Sequence, residues 1–121
     1  MKYMLLIYDD GQAWGGMDER ERQQVMAEYG RFTGDITSAG NYLAGAQLQP
    51  PASATNVRVR EGNRLLTDGP FAETREQLGG YYVIEAGNLD EALEIAARVP
   101  SARFGCVEVR PVIEVPALMP A

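Results

Sequence analysis

Asp68, Glu73, Thr74, Arg75 and Glu76 gather carboxylates, a hydroxyl and a guanidinium within DGPFAETREQLGGYYVIE, residues 68–85. A carboxylate among such donors can move a proton or anchor a ligand, and the following Gly79 and Gly80 permit close backbone approach or positive φ. Asp68 is the candidate catalytic residue, a general acid or base that the Gly69-Pro70 turn would hold at a strand end and aim into a cavity. Tyr8, Arg58, Glu73 and Arg75 are the candidate groups that line this cavity with it. A structural role competes, because Asp in such turns commonly accepts hydrogen bonds from nearby backbone N–H groups, and a polar stretch such as 73–77 is usually a solvated surface. Phe71 is expected to plug the core beside the turn.

Other side chains carry weaker chemistry. Arg58, Arg60 and Arg110 either attract an anionic ligand or pair with Glu108 and Glu114 on a sheet surface. Tyr8 and Tyr82 can place hydroxyls in a pocket or satisfy them in the core. Trp14, in a glycine-flanked connection, reads as a lid or a hydrophobic anchor. The carboxylates of Asp68, Glu73 and Glu76 match no metal loop, P-loop or dinucleotide fingerprint, so neither a metal site nor a cofactor is assigned.

What the chain lacks excludes more. It has 121 residues and no histidine, so Ser-His-Asp and Cys-His nucleophiles, the HExxH helix and any histidine proton shuttle are unavailable within it. The single Cys106 makes neither an internal disulfide nor a zinc site, and reads as a small strand residue. A formal net charge of -6 opposes direct binding to nucleic acid or to an anionic membrane surface. The start MKYMLLIYDD lacks a typical signal-peptide length and cleavage site, and no apolar run spans a bilayer, so a cytoplasmic location is expected.

The length suits one domain, residues 1–121, with 116–121 a C-terminal tail. Tyr3 to Tyr8 is consecutively apolar and reads as a strand buried on both faces. Asp18 and Glu21 have capping-box spacing, and Val25, Tyr29, Phe32, Ile36 and Ala39 form the stripe of a long helix stopped at Gly40-Asn41. Gly30 and Gly34 inside it predict a tight crossing with a sheet or partner. Tyr42 to Gln47 reads as a strand ending before Pro50-Pro51. Val57 to Arg60 and Arg64 to Thr67 form the arms of a hairpin turning at 61–63. Gly80 to Glu85 is the next strand, Asn88 and Glu91 open a second helix that ends at Pro100, and Cys106 to Val115 is the last strand. Pro111 implies that this strand is an edge or carries a bulge.

This order, strand, helix, strand, inserted hairpin, strand, helix, strand, fits an α+β ferredoxin-like sandwich with both helices on one sheet face. Met4 to Ile7 and Tyr81 to Ile84 then leave the opposite face too apolar for water, and a second copy covering it gives a symmetric homodimer. The competing arrangement has the hairpin and tail cover that face within one chain.

The wording DGPFAETREQLGGYYVIE, with MKYMLLIY, Asn56-Val57-Arg58 and Val107-Glu108-Val109-Arg110-Pro111, closely resembles the DGPF subgroup of the YCII-related proteins over nearly the whole chain. The resemblance implies a dimeric α+β barrel of ferredoxin-like subunits with a pocket near the DGPF segment, in which Asp68 is the motif's ionisable member. The His-Asp pair thought to act in some members cannot form without a histidine. Neighbourhood to extracytoplasmic-function sigma factors, common for such members, implies a regulatory or metabolic link. Three functions follow as expectations: binding of a small polar or anionic metabolite near Asp68, an enzyme using Asp68, or a partner-binding module presenting the first helix or the Trp14 loop.

Overall fold

A computed structural model describes residues 1–114. The first strand, β1 (Lys2–Asp10), buries Tyr3, Leu5 and Ile7 on one face and leaves Met4, Leu6 and Tyr8 half-buried on the other. Asp10 ends it and caps a short helix, α1 (Gly11–Gly15), by accepting a hydrogen bond from the Gln12 N–H at 2.8 Å. The Trp14 connection is therefore one helical turn. Asp18 starts α2 (Glu19–Ser38) with a complete capping box: the Glu21 N–H donates to Asp18 Oδ1 at 2.8 Å and the Asp18 N–H to Glu21 Oε1 at 3.4 Å. Val25, Phe32 and Ile36 are its buried stripe.

Strand β2 (Tyr42–Gln47) is followed by a 3₁₀ turn at Pro51–Ser53 and by the hairpin of β3 (Thr55–Arg60) and β4 (Asn63–Asp68). Glu61 and Gly62 take φ of 52° and 77°, the twisted turn that two-residue hairpins favour. Strand β5 (Glu76–Glu85) then leads to α3 (Leu89–Ala97), capped by Asn88, which accepts from the Glu91 N–H at 2.9 Å. The last strand, β6, covers Cys106–Pro111.

The main sheet has the antiparallel order β2-β5-β1-β6, and the hairpin is a separate two-stranded sheet. Helices α2 and α3 share one face of the main sheet, closing a core of Tyr3, Leu5, Ile7, Phe32, Ile36, Tyr82, Ile84, Ala92 and Ile95. This is a mixed α+β fold of ferredoxin-like order. Full burial of a side chain such as Leu5, Ile36 or Ile84 is worth about 2 kcal/mol relative to exposure.

Several expectations change. The predicted strand to Val115 stops at Pro111, which leaves Ile113 84% exposed, and Val115 and the tail lie outside the described residues. Pro111 does sit on an edge strand, as its missing N–H requires. Gly30 and Gly34 are exposed, and a Cβ built on either meets nothing within 4 Å, so no close crossing explains them. The hairpin covers nothing within the described chain: all of β4 is exposed, and so is all of β3 except half-buried Asn56.

Candidate functional site

The side chains that converge belong to Asp9 and the far side of β5. Residues 3, 5 and 7 of β1 face the helices, so the strand's period of two carries Asp9 to the same face at its open end. Opposite, β5 bulges: Ile7 pairs with Gly80 and Tyr8 with Leu78, so that Gly79 is the extra residue. A Cβ at Gly79 would lie 3.2 Å from Asp9 Oδ2, and one at Gly80 would lie 2.9 Å from the Ala46 carbonyl oxygen of β2. The double glycine thus makes room for a carboxylate on one side and for a neighbouring strand on the other.

Helix α2 and strand β2 complete a cavity of about 270 Å³ lined by Asp9, Met26, Tyr29, Thr33, Tyr42, Gln47 and Tyr82, among others. A second cavity of about 370 Å³ shares Asp9, Gln47 and Gly79 and is bounded by Trp14, Pro50, Gln77 and Ser101. Neither has an arginine or lysine among its lining residues. The Tyr82 hydroxyl bonds the Thr33 hydroxyl at 2.7 Å, and the Tyr29 hydroxyl bonds that of buried Ser101. Tyr82 packs edge-on against Phe32 and Tyr42, with ring centroids 5.3 and 6.1 Å away.

Asp9 is half-buried and accepts no hydrogen bond among the described residues. Burial pushes its carboxyl above the ordinary carboxylate value, and the charges of Asp10 and Glu76 add to the rise. Burial also raises the Tyr29 hydroxyl, against the lowering effect of its bond to Ser101, with Tyr82 and Asp9 adding to the rise. Tyr82 is likewise raised by burial, opposed by its bond to Thr33. Adjacent Asp10 behaves in the opposite way: the Gln12 N–H and the Arg75 guanidinium, whose Nε lies 3.0 Å from Oδ2, lower its carboxyl. Of the two neighbours, Asp9 releases its proton less readily than an ordinary carboxyl and Asp10 more readily.

The five expected site residues are not brought together. Asp68 is exposed at the end of β4, paired with Thr55 across the hairpin, and lines neither cavity. Nor does it fix its turn: Gly69 takes φ 94°, its N–H donates to the Ala54 carbonyl at 2.8 Å, and Asn56 Nδ2 donates to the Gly69 carbonyl at 2.6 Å. Arg58 lies over the ring of Phe71, 5.5 Å from its centroid. Phe71 is 77% exposed instead of buried, because the hairpin stands away from the core. Arg75 is taken up by Asp10, and Glu73 is exposed. The polar run is an ordered loop, since Gln77 Nε2 donates to the Ala72 and Thr74 carbonyls, both at 2.8 Å. Tyr8 lies on the opposite sheet face, bonded to Glu108 at 3.2 Å and raised by burial and by that carboxylate. There it borders an open groove of about 620 Å³ with Leu48, Pro50, Phe71 and Leu78.

Asp9, Tyr29 and Tyr42 escaped the reading of motifs. The signal for Asp9 was present: a carboxylate continuing the buried register 3, 5, 7 of an apolar strand. Among the described residues no cluster of three or more metal-ligating side chains forms, and no helix is long and apolar enough to cross a membrane.

The match to known proteins covers the same elements. Residues 1–116 match the YCII-related domain. An uncharacterized protein of Rhizobium meliloti (strain 1021) is 36% identical over 113 residues, 92% of this chain and 91% of the relative. With the match spanning every strand and helix described above, the chain belongs to the YCII-related family.

Proposed function

We propose that this protein binds a small polar molecule in the cavity at Asp9, as a homodimer. The observation that carries the binding reading is a half-buried carboxyl that accepts no hydrogen bond from the described residues, lining two adjoining cavities together with tyrosine and threonine side chains. A partly desolvated polar group kept without a partner is costly unless a ligand or water completes it. The test is a fragment screen read by amide chemical shifts. Shifts are expected to cluster at Thr33, Tyr42, Gly79 and Gly80, and Asp9→Ala should weaken a hit by about tenfold or more, some 1.4 kcal/mol. Asp68→Asn should leave that hit unchanged. Hits that cluster at Asp68 and Arg58 instead would return the site to the turn.

Catalysis fits the same geometry if Asp9, not Asp68, supplies the acid or base. A carboxyl raised by burial holds its proton nearer to neutral pH, as a general acid requires. Dimerisation is favoured by a separate observation: Val57, Val59, Leu65, Leu66 and Phe71 are all exposed on or beside a two-stranded hairpin, an element marginally stable in water by itself.

A further inference from the structure

We infer that the Asp9 cavity selects a small organic cation, an amine in its ammonium form with a compact apolar body. This rests on the reading of the cavity as a binding site and names the ligand class it takes.

Three features of the wall lead there. Asp9 is the charged residue of the first cavity and again of the second, and no basic side chain stands among the lining residues of either. Arg75, the basic group nearest in the chain to the glycine pair, is 85% exposed and engaged by Asp10. An anion entering here would lose hydration and gain no opposite charge, whereas an ammonium finds in Asp9 the counter-charge it needs to leave water. Asp10 and Glu76 add negative potential from the same strand ends. Around the carboxyl, Tyr29, Tyr42 and Tyr82 contribute aromatic wall, with Tyr42 and Tyr82 inclined at 76° to one another. Rings set at an angle beside a carboxylate attract a cation through their faces while burying its carbon atoms. The hydroxyls of Thr33 and Tyr82 share one hydrogen bond, and Asp9, with two carboxylate oxygens and no protein donor among the described residues, offers the most acceptor capacity in the wall. At about 270 Å³ the space lies just below the range of about 300–1,000 Å³ typical of ligand cavities, which suits a small ligand.

Phenethylamine, 2-phenylethanol and phenylacetate share one ring and chain length and differ in charge, so they test the inference directly. Binding to the full-length protein would be followed by calorimetry and by the amide shifts of Thr33, Gly79 and Gly80, at neutral pH and low salt. Phenethylamine is expected to bind about tenfold more tightly than the alcohol and more tightly still than the carboxylate. Asp9→Asn should abolish the preference for the amine over the alcohol, in a protein whose amide spectrum remains that of the folded chain. Tyr42→Leu, which leaves the carboxylate in place, should reduce the amine's advantage severalfold. If the alcohol or the carboxylate binds in the cavity as well as the amine, the cation inference is overturned and the binding reading stands. If none of the three shifts these amides at about 10 mM, the cation inference is overturned, and the binding reading then stands or falls with the fragment screen.

Discussion

At the scale of single residues, Asp9 and Asp10 are adjacent carboxylates with opposite effects on stability. Burial raises Asp9, so folding favours its protonated form. The stability it contributes is complete below the unfolded carboxyl value of about 3.9 and is lost as pH rises through the folded one. Asp9→Asn, which cannot ionise, is therefore expected to melt at a higher temperature than the parent protein at pH 7, with the advantage vanishing in acid below that window. Asp10 is lowered by the Gln12 N–H and by Arg75, so its contribution is present above the unfolded value and is lost as pH falls through the folded one. Asp10→Asn keeps a residue equally suited to capping α1, and should melt lower than the parent at pH 7 and converge with it in acid. Melting curves from pH 3 to 7 check both signs, and the same sign for the two variants would contradict the environments described here.

At the scale of elements, the glycines separate into those that packing requires and those it does not. Gly30 and Gly34 lie on the exposed face of α2 with open space where a Cβ would stand. Replacing each with alanine should stabilise the protein by about 0.5–1 kcal/mol, from helix propensity and a less flexible unfolded chain. Gly80→Ala is the contrasting case. Its Cβ would lie 2.9 Å from a β2 carbonyl oxygen, so the two strands must part, and a loss of about 2 kcal/mol or more is expected. Denaturant titrations of the three variants measure these differences. A Gly30→Ala protein less stable than the parent would show that a partner surface presses on α2 after all.

At the scale of the whole molecule, the main sheet is covered by helices on one face and half-open on the other, and the hairpin extends from it without packing on the core. One face of the hairpin carries Val57 opposite Leu66 and Val59 opposite Arg64, and the other carries Arg58 opposite Leu65 and Arg60 opposite Asn63. A hairpin whose Val57, Val59 and Leu66 are exposed and meet no other element among the described residues is the surface a second copy would use. Light scattering should give the mass of two chains at micromolar concentration, and Leu66→Arg should shift it toward one chain while the helical signal persists. A well-folded single chain at high concentration would overturn the dimer and leave the Asp9 cavity, which is built within one chain, standing.

Most of the framework was legible in the sequence because its causes are local. The capping box at Asp18, the N-cap at Asn88 and the edge position marked by Pro111 are written in neighbouring residues and appear in the structure where the spacing places them, and the hairpin turn expected at 61–63 closes at Glu61-Gly62. The candidate site at Asp9 was not legible in that way. Asp68 drew attention because it sits in a dense polar motif, yet a motif states what is near in the chain, and β4 belongs to an arm that projects from the sheet. Only the pairing of β1 with β5 sets Asp9 beside Gly79, and only the crossing of α2 over the sheet brings Tyr29 to both. Helix and strand propensity act over a few residues, whereas a cavity is made where distant segments fail to fill the space between them. Local sequence determined where most of the strands and the two long helices form; the tertiary structure decided which of the carboxylates became partly buried.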